Sequence, residues 1–244
     1  MRRQVDSMPQ GRFELKYLID FSSFRRIRDR MSAICRVDPH AVEGRSYWIR
    51  SIYYDTRGLD FFKDKLDGVG WRKKVRIRFY GNTEVEAAFA EIKNRHGETI
   101  SKLRQSLGKD DIAGILGEGS HGLECLFDLE GECIEELKRI HLRSPLIPQV
   151  GISYWRQAYV WPAHDNVRLT FDYDLRYLPE YFLSDQQAYE RLFLTPGLMV
   201  MEVKTDGHLP TWFRELGKGL NLQQTRYSKY CSALGAKIRF SRTD

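Results

Sequence analysis

Cysteine is scarce in this 244-residue chain, and the four that occur, Cys35, Cys125, Cys133 and Cys231, form no C-x-x-C pair and no zinc-finger spacing. A disulfide framework and a structural zinc site are thereby excluded, and the thiols read as reduced and core-buried. Histidine is thin as well. Six residues lie scattered with no H-E-x-x-H among them, so a zinc hydrolase is not indicated and any metal is expected on oxygen ligands. No apolar run approaches the ~18 residues that a membrane-spanning helix needs. Arg2 and Arg3 are not followed by an apolar stretch of the kind a secretory signal carries, and a soluble, cytoplasmic protein is expected. Eight prolines and 19 glycines are too few for a collagenous or low-complexity chain.

What is present suits a sizeable core: 42% hydrophobic residues, 13% of the chain aromatic. Lys and Arg number 39 against 33 Asp and Glu, for a net charge of +6, an excess that favours anionic partners. Residues 1–11 read as a flexible N-terminus and 12–240 as a single domain. Period-two patterning marks eight strands, at 12–19, 46–54, 71–80, 86–95, 98–105, 149–161, 166–174 and 197–205. Helical patterns fill 21–35, behind an Asp20 or Ser22 cap, then 109–142, interrupted at Gly131, and 210–220, with a short helix near 228–235. The expectation is a mainly β (α+β) fold, an eight-stranded antiparallel closed β-barrel with helices packed outside.

Alternate residues of a strand share a face. Arg72, Lys74, Arg76, Arg78 and Tyr80 therefore stand in one row, with Trp71, Val75, Ile77 and Phe79 behind. By the same count Arg12, Glu14 and Lys16 share a face, as do Glu91, Lys93 and Arg95, then Lys102 and Arg104, then Arg168, Thr170 and Asp172, then Glu202 and Lys204. Glu-x-Lys recurs on three strands. Like charges two apart repel unless an anion lies between them, so the row points to a face that takes up a polyanion, and a barrel lumen so lined would suit a chain of phosphates.

Nine segments in series carry a resemblance: Phe13 to Tyr17, Ser51 to Thr56, Lys74 to Tyr80, Glu91-Ile92-Lys93, Ser101 to Arg104, Tyr154 to Tyr159, Val167 to Asp172, Met201 to Lys204 and Ser228-Lys229-Tyr230. They resemble the VTC domain, the polyphosphate polymerase branch of the triphosphate tunnel metalloenzymes. The resemblance implies an antiparallel tunnel that moves the γ-phosphoryl of ATP onto inorganic polyphosphate. It implies phosphate binding by Lys16, Arg76, Arg78, Lys93, Lys102, Arg156 and Lys229, with Arg104 and Arg168 added from their faces. It also implies Mg²⁺ or Mn²⁺ on Glu202, helped by Glu14 or Asp172. Arg76, Arg78, Lys93, Lys229 and Glu202 are the expected catalytic set. A membrane-protein partner is compatible with the family and not visible in this sequence. The superfamily's first strand reads Glu-x-Glu-x-Lys, whereas Arg12 stands here in place of the first Glu, which favours transfer over hydrolysis.

Two other readings remain open at this stage. One is a tunnel-fold triphosphatase acting on tripolyphosphate or a nucleoside triphosphate, and the other a non-catalytic binder of polyanions or nucleic acid. Nucleic acid is the less favoured partner because the aromatics alternate out of face with the cations, Tyr80 excepted. Tyr54-Asp55-Thr56 is expected to close a turn, and Trp71 and Trp155 to lie in the core behind the charged face. Arg25, Arg26, Arg28 and Arg30 read as a solvated helix face. Residues 117–122 match G-x-G-x-x-G but follow a helical pattern and not a strand, which argues against a dinucleotide site.

Overall fold

The computed structural model describes residues 13–38, 46–81, 84–97, 99–117, 122–161, 167–178, 190–205 and 209–240. The N-terminal segment with Arg12, and the interior of the 117–122 motif, lie outside the described residues. Ten strands form one antiparallel sheet. They are β1 (Phe13–Asp20), β2 (Arg36–Val37), β3 (Tyr47–Thr56), β4 (Trp71–Tyr80), β5 (Ala87–His96), β6 (Thr99–Leu107), β7 (Leu146–Val160), β8 (Arg168–Leu178), β9 (Arg191–Leu192) and β10 (Leu198–Thr205). The hydrogen-bonded path runs β1-β10-β8-β7-β3-β4-β5-β6, with β2 on β7 and β9 on β8. Its ends are β1 and β6, and no pairing joins them among the described residues. Among the described residues the closed ring of strands expected from the sequence is therefore not completed by backbone hydrogen bonds; period-two patterning tells which face a residue takes and not which strand lies beside it.

The chain forms two compact units. The first comprises residues 1–46, 157–172 and 197–227, and holds β1, β10 and the start of β8 with helix α1 (Phe21–Met31). Asp20 caps α1 by accepting the Ser23 N–H at 2.7 Å, as the sequence suggests. Phe24, Ile27 and Met31, at helical spacing, are buried with Phe171, Met199, Met201 and Val203; the Phe24 and Phe171 rings meet edge-on at 5.0 Å. On the outer side of that helix Arg25, Arg26 and Arg30 are exposed, a solvated face as expected.

The second unit comprises residues 47–156, 173–196 and 228–244. Its sheet segment β7-β3-β4-β5-β6 presents one apolar face, where Ile52, Val75, Ile77, Phe79, Ala88, Ala90 and Ile92 pack under the helices. Those helices are α2 (Asp60–Leu66), α3 (Lys109–Leu116), a 3-10 turn (Gly122–Leu126) and α4 (Glu132–Arg143). The helical pattern read over 109–142 breaks at Gly131 as expected, and its first part is itself two pieces, α3 and the 3-10 turn. Gly131, at φ 135°, takes a conformation closed to side-chain-bearing residues and starts α4 afresh. Helix α6 (Lys229–Phe240) belongs to this unit, and helix α5 (Thr211–Gly219) to the first. No described helix is long and apolar enough to cross a membrane.

Two expectations fail on burial. Trp71 is 68% exposed, because it stands at the very start of β4, beyond the helices that cover the sheet, and packs instead on His96 with ring centroids 3.7 Å apart. Among the cysteines, all free, only Cys133 is buried, and Cys125 is exposed.

Candidate functional site

Strand register decides what the charged rows become. In the second unit Arg76 stands opposite Glu91, and Glu91 opposite Arg104; one row outward Lys74, Lys93 and Lys102 are in register, and one row inward Arg78 faces Phe89. Glu91, only 3% exposed, is the anion that the like-charged row requires. Its Oε2 lies 2.6 Å from Arg76 Nη2 and 3.8 Å from Arg78 Nε, and its Oε1 lies 2.5 Å from Lys102 Nζ and 3.4 Å from Arg104 Nε. Burial alone would push the Glu91 carboxyl up. Arg76, Arg78 and Lys102 outweigh that and hold it far below the usual carboxylate range. Lys102 is lowered in turn, by its own burial and by the nearby arginines, against the pull of Glu91.

Tyrosines orient the arginines. Arg76 Nη1 donates to the Tyr53 hydroxyl at 2.8 Å, and Arg78 Nη2 to the Tyr154 hydroxyl at 3.4 Å. Burial works to raise the Tyr53 hydroxyl, but Arg76, Arg78 and Lys229 lower it on balance. The Tyr154 ring is flanked by the Arg156 guanidinium at 5.4 Å and by the Lys229 ammonium at 4.9 Å; Arg104 stacks on Phe89 at 3.6 Å. Lys74 donates to Ser228 Oγ at 2.9 Å. Arg76, Arg78, Lys93, Lys102 and Arg104 thus share one face of three strands, with Arg156 and Lys229 gathered on Tyr154.

The remaining candidates belong to the first unit. Glu14 pairs in register with Lys204, and Lys16 with Glu202, which sets charges of opposite sign across the two strands. Lys16 Nζ lies 3.0 Å from Glu14 and 3.7 Å from Glu202; Lys204 Nζ lies 3.0 Å from Glu202 and 4.0 Å from Glu14. Glu202 is also in register with Thr170, and Lys204 with Arg168. Arg168 Nη2 binds Asp38 at 2.7 Å. The Thr170 hydroxyl is buried without a hydrogen-bond partner among the described residues.

A divalent metal must be tested against this donor set. No group of three or more His, Cys, Asp or Glu is arranged around a common point among the described residues. Two carboxylates and an orphaned hydroxyl oxygen are nevertheless the hard donors that Mg²⁺ or Mn²⁺ takes when phosphates and water complete the shell, so the residues fit such an ion.

Sequence reasoning missed Tyr53, Tyr154 and Ser228 as supports. Their strand parity places Tyr53 beside Arg76, a signal that only the register makes readable. It also missed that Glu91 stands opposite Arg76, though it placed Glu91 on the charged face.

Comparison with known proteins extends these observations. A family model described as VTC domain matches residues 11–237. The vacuolar transporter chaperone complex subunit 4 of Schizosaccharomyces pombe is 27% identical over 150 residues, covering 54% of this chain and 21% of that protein; the chain therefore spans about a fifth of that relative's length. Among solved structures, the Hippeastrum protein HpAC1, described as an adenylyl cyclase candidate with a dominant triphosphatase activity, superposes with a TM-score of 0.58 at 14% identity, over 92% of this chain and 96% of that one. A candidate adenylate cyclase of Bacillus halodurans gives 0.54 at 18% identity, over 91% and 96%. At these identities the likeness to both is one of fold.

Proposed function

The chain belongs to the VTC domain family, and from that premise we propose that it is a polyphosphate polymerase, transferring the γ-phosphoryl of ATP to the end of an inorganic polyphosphate chain in the cytoplasm. The reading takes residues 12–240 as one working domain. The observation that carries it is the set of six cations, Lys74, Arg76, Arg78, Lys93, Lys102 and Arg104, on one face of β4, β5 and β6 around the carboxylate of Glu91.

In the transfer, an oxygen of the terminal phosphate forms a bond to the γ-phosphorus, the bond from that phosphorus to the β–γ bridging oxygen breaks, and ADP leaves. The attacking oxygen is already anionic, so no general base is needed. The protein's task is alignment and neutralisation of charge. Arg76 and Arg78, oriented by Tyr53 and Tyr154, offer planar forks to phosphate oxygens, and Lys93, Lys102, Lys16 and Lys229 offer mobile point charges. Arg104, Arg156 and Arg168 extend the phosphate-binding set. The four cations gathered on Glu91 exchange that carboxylate for phosphate when substrate arrives, which keeps the empty site from holding unopposed buried charge. Glu202, with Glu14 and the Thr170 hydroxyl, would hold Mg²⁺ or Mn²⁺, which supplies charge neutralisation at phosphate oxygens when bound.

A triphosphatase needs to orient and deprotonate water, and the cross-strand rows around Arg76 hold no second carboxylate or histidine for that purpose. The test is incubation with γ-labelled ATP and Mn²⁺ or Mg²⁺, resolving long polymer from free phosphate. Labelled polymer supports the reading; free phosphate alone makes the protein a triphosphatase; neither product makes it a binding module.

A further inference from the structure

Within the first unit, the face of β1 turned away from Glu14 and Lys16 carries a cavity. Tyr17 follows Lys16 on the strand and so points to the opposite side of the sheet. Its ring meets Phe213 of α5, with centroids 6.0 Å apart and planes tilted by 58°. These two rings, with Leu209 and Leu222, wall a cavity of about 530 Å³ that opens to solvent, a size within the ~300–1,000 Å³ usual for small-molecule sites.

The end of α5 explains why the space is there. The Leu222 N–H donates to the Gly217 carbonyl at 3.0 Å and the Asn221 N–H to the Lys218 carbonyl at 3.3 Å, with Asn221 in the left-handed region at φ 49°. This is the Schellman closure of a helix, in which the last of these residues commonly makes an apolar contact with the side chain five positions before it. Here that position is Gly217, which has no side chain to offer; a Cβ there would lie 3.8 Å from Leu222 Cδ1, an ordinary contact. Glycine within a helix is destabilising relative to alanine or leucine, and what its small size provides here is the cavity.

Charge complements the apolar walls. Arg214 and Lys218 line the same cavity; four residues apart, they share one side of α5, and both are exposed. None of the described residues that line it is acidic. Apart from the Tyr17 hydroxyl and the Asn221 amide, the walls offer no side-chain group that would read the hydrogen-bonding edge of a nucleobase, so an aliphatic body suits them better.

We infer that this cavity binds one amphipathic anion, an aliphatic chain headed by a carboxylate or phosphate, with the chain against Tyr17, Phe213 and Leu222 and the head at Arg214 and Lys218. The inference does not depend on the polyphosphate reading, since Tyr17 faces away from the charged row.

The test is calorimetry of decanoate, butyrate, decanol and ADP with wild type, with Gly217→Leu and with Arg214→Gln/Lys218→Gln, each repeated under saturating tripolyphosphate to occupy the charged face. Wild type is expected to bind one decanoate per chain, at least tenfold more tightly than butyrate, which has the head without the chain. Gly217→Leu fills the cavity and is expected to lose at least tenfold in decanoate affinity. Its melting temperature should be equal or higher, because leucine is the better helix former and packs on Leu222. The double variant should bind decanoate about three- to tenfold more weakly and decanol within about twofold of wild type. Cosedimentation with phosphatidylcholine–phosphatidylglycerol vesicles separates the sources of such a chain: sedimentation lost in Gly217→Leu supports the inference with a membrane lipid as ligand, and decanoate binding without sedimentation supports it with a free amphiphile.

Butyrate bound as tightly as decanoate, or decanoate affinity unchanged in Gly217→Leu, overturns the inference. Decanoate displaced by tripolyphosphate places it on the charged face and overturns it too. ADP that binds despite tripolyphosphate and is lost in Gly217→Leu overturns it in favour of a nucleotide site. Should Gly217→Leu melt lower than wild type, the double variant, which alters exposed side chains only, carries the test: equal decanoate affinity in it and in wild type overturns the inference.

Discussion

The hydroxyl of Tyr230 donates a 2.6 Å hydrogen bond to Asp55 Oδ2. The same carboxylate accepts the backbone N–H groups of Thr56, Phe61 and Phe62 at 2.7, 3.0 and 2.9 Å, so one buried acid both satisfies the first turn of α2 and fastens the start of α6 to β3. Tyr230 stacks on Tyr53 at 5.2 Å, and the residue before it is Lys229. The Asp-Thr pair that ends β3 closes a turn, as its sequence suggests, and in doing so it also sets where a candidate phosphate-binding lysine stands.

Asp55→Ala is expected to cost about 2–4 kcal/mol, from a buried hydroxyl and amide groups left unpaired at ~1–3 kcal/mol and a lost cap at ~1 kcal/mol. Tyr230→Phe removes one hydrogen bond and should cost only about 1 kcal/mol. Urea unfolding of both variants checks this; equal losses would show that the Tyr230 bond, and not the helix cap, dominates.

Glu91→Gln should lose about 3–5 kcal/mol at neutral pH, because it leaves buried cations without their counter-charge. The depressed Glu91 carboxyl contributes stability that is fully present above its unfolded value of about 4.3 and is lost as pH falls through the lower folded value. Wild type should therefore lose stability on acidification in a component the variant lacks. Tripolyphosphate should raise the variant's melting temperature more than that of wild type, since phosphate replaces the missing charge. Identical melting profiles across pH would refute the assignment of Glu91 as the counter-ion.

Arg76→Ala and Arg78→Ala should each abolish the ligand-induced rise in melting temperature. Considered as a like-charged row, β4 ought to gain stability when a cation is removed. Glu91 reverses that expectation for Arg76, which binds both Glu91 and Tyr53, and its removal should cost about 1–3 kcal/mol. Differential scanning with and without tripolyphosphate measures both effects, and a retained ligand-induced rise counts against a phosphate-binding role.

Glu202→Gln keeps shape and removes charge. Activity should lose its dependence on Mn²⁺ while tripolyphosphate binding persists, tightened by the more positive surroundings of Lys16 and Lys204. Titrating Mn²⁺ into wild type and variant, with tripolyphosphate binding in parallel, decides between a metal ligand and a carboxylate that only pairs with those lysines; an unchanged metal dependence points to pairing alone.

The eight long strands were legible because one face of each meets a core and the other carries charge, and that alternation is written directly in residues such as 71–80. The two-residue strands β2 and β9 are too short to show a period. Helix α2 was hidden by its seven residues and by an entry through Leu59 in the left-handed region, at φ 60°, where no usual capping residue announces a start. For the site, parity alone gathers the cations of β4 and sets Glu91 beside Lys93. It does not reveal that Glu91 stands opposite Arg76, or that Tyr53 does the same from the other side, because register is fixed by turns and packing and not by period.

Strand β6 ends the hydrogen-bonded path and pairs only with β5 among the described residues. A strand in that position offers a row of backbone donors and acceptors to any other chain, and charged side chains are the common means of deterring such pairing. Lys102 and Arg104, with side chains 42% and 41% exposed, stand on that strand. On the reading proposed above the two residues would combine phosphate binding with colloidal stability: removing both would take away the proposed phosphate contacts and at the same time strip the guard from an edge unpaired among the described residues, so that lost activity in such a variant must be separated from self-association by light scattering before it is attributed to the site.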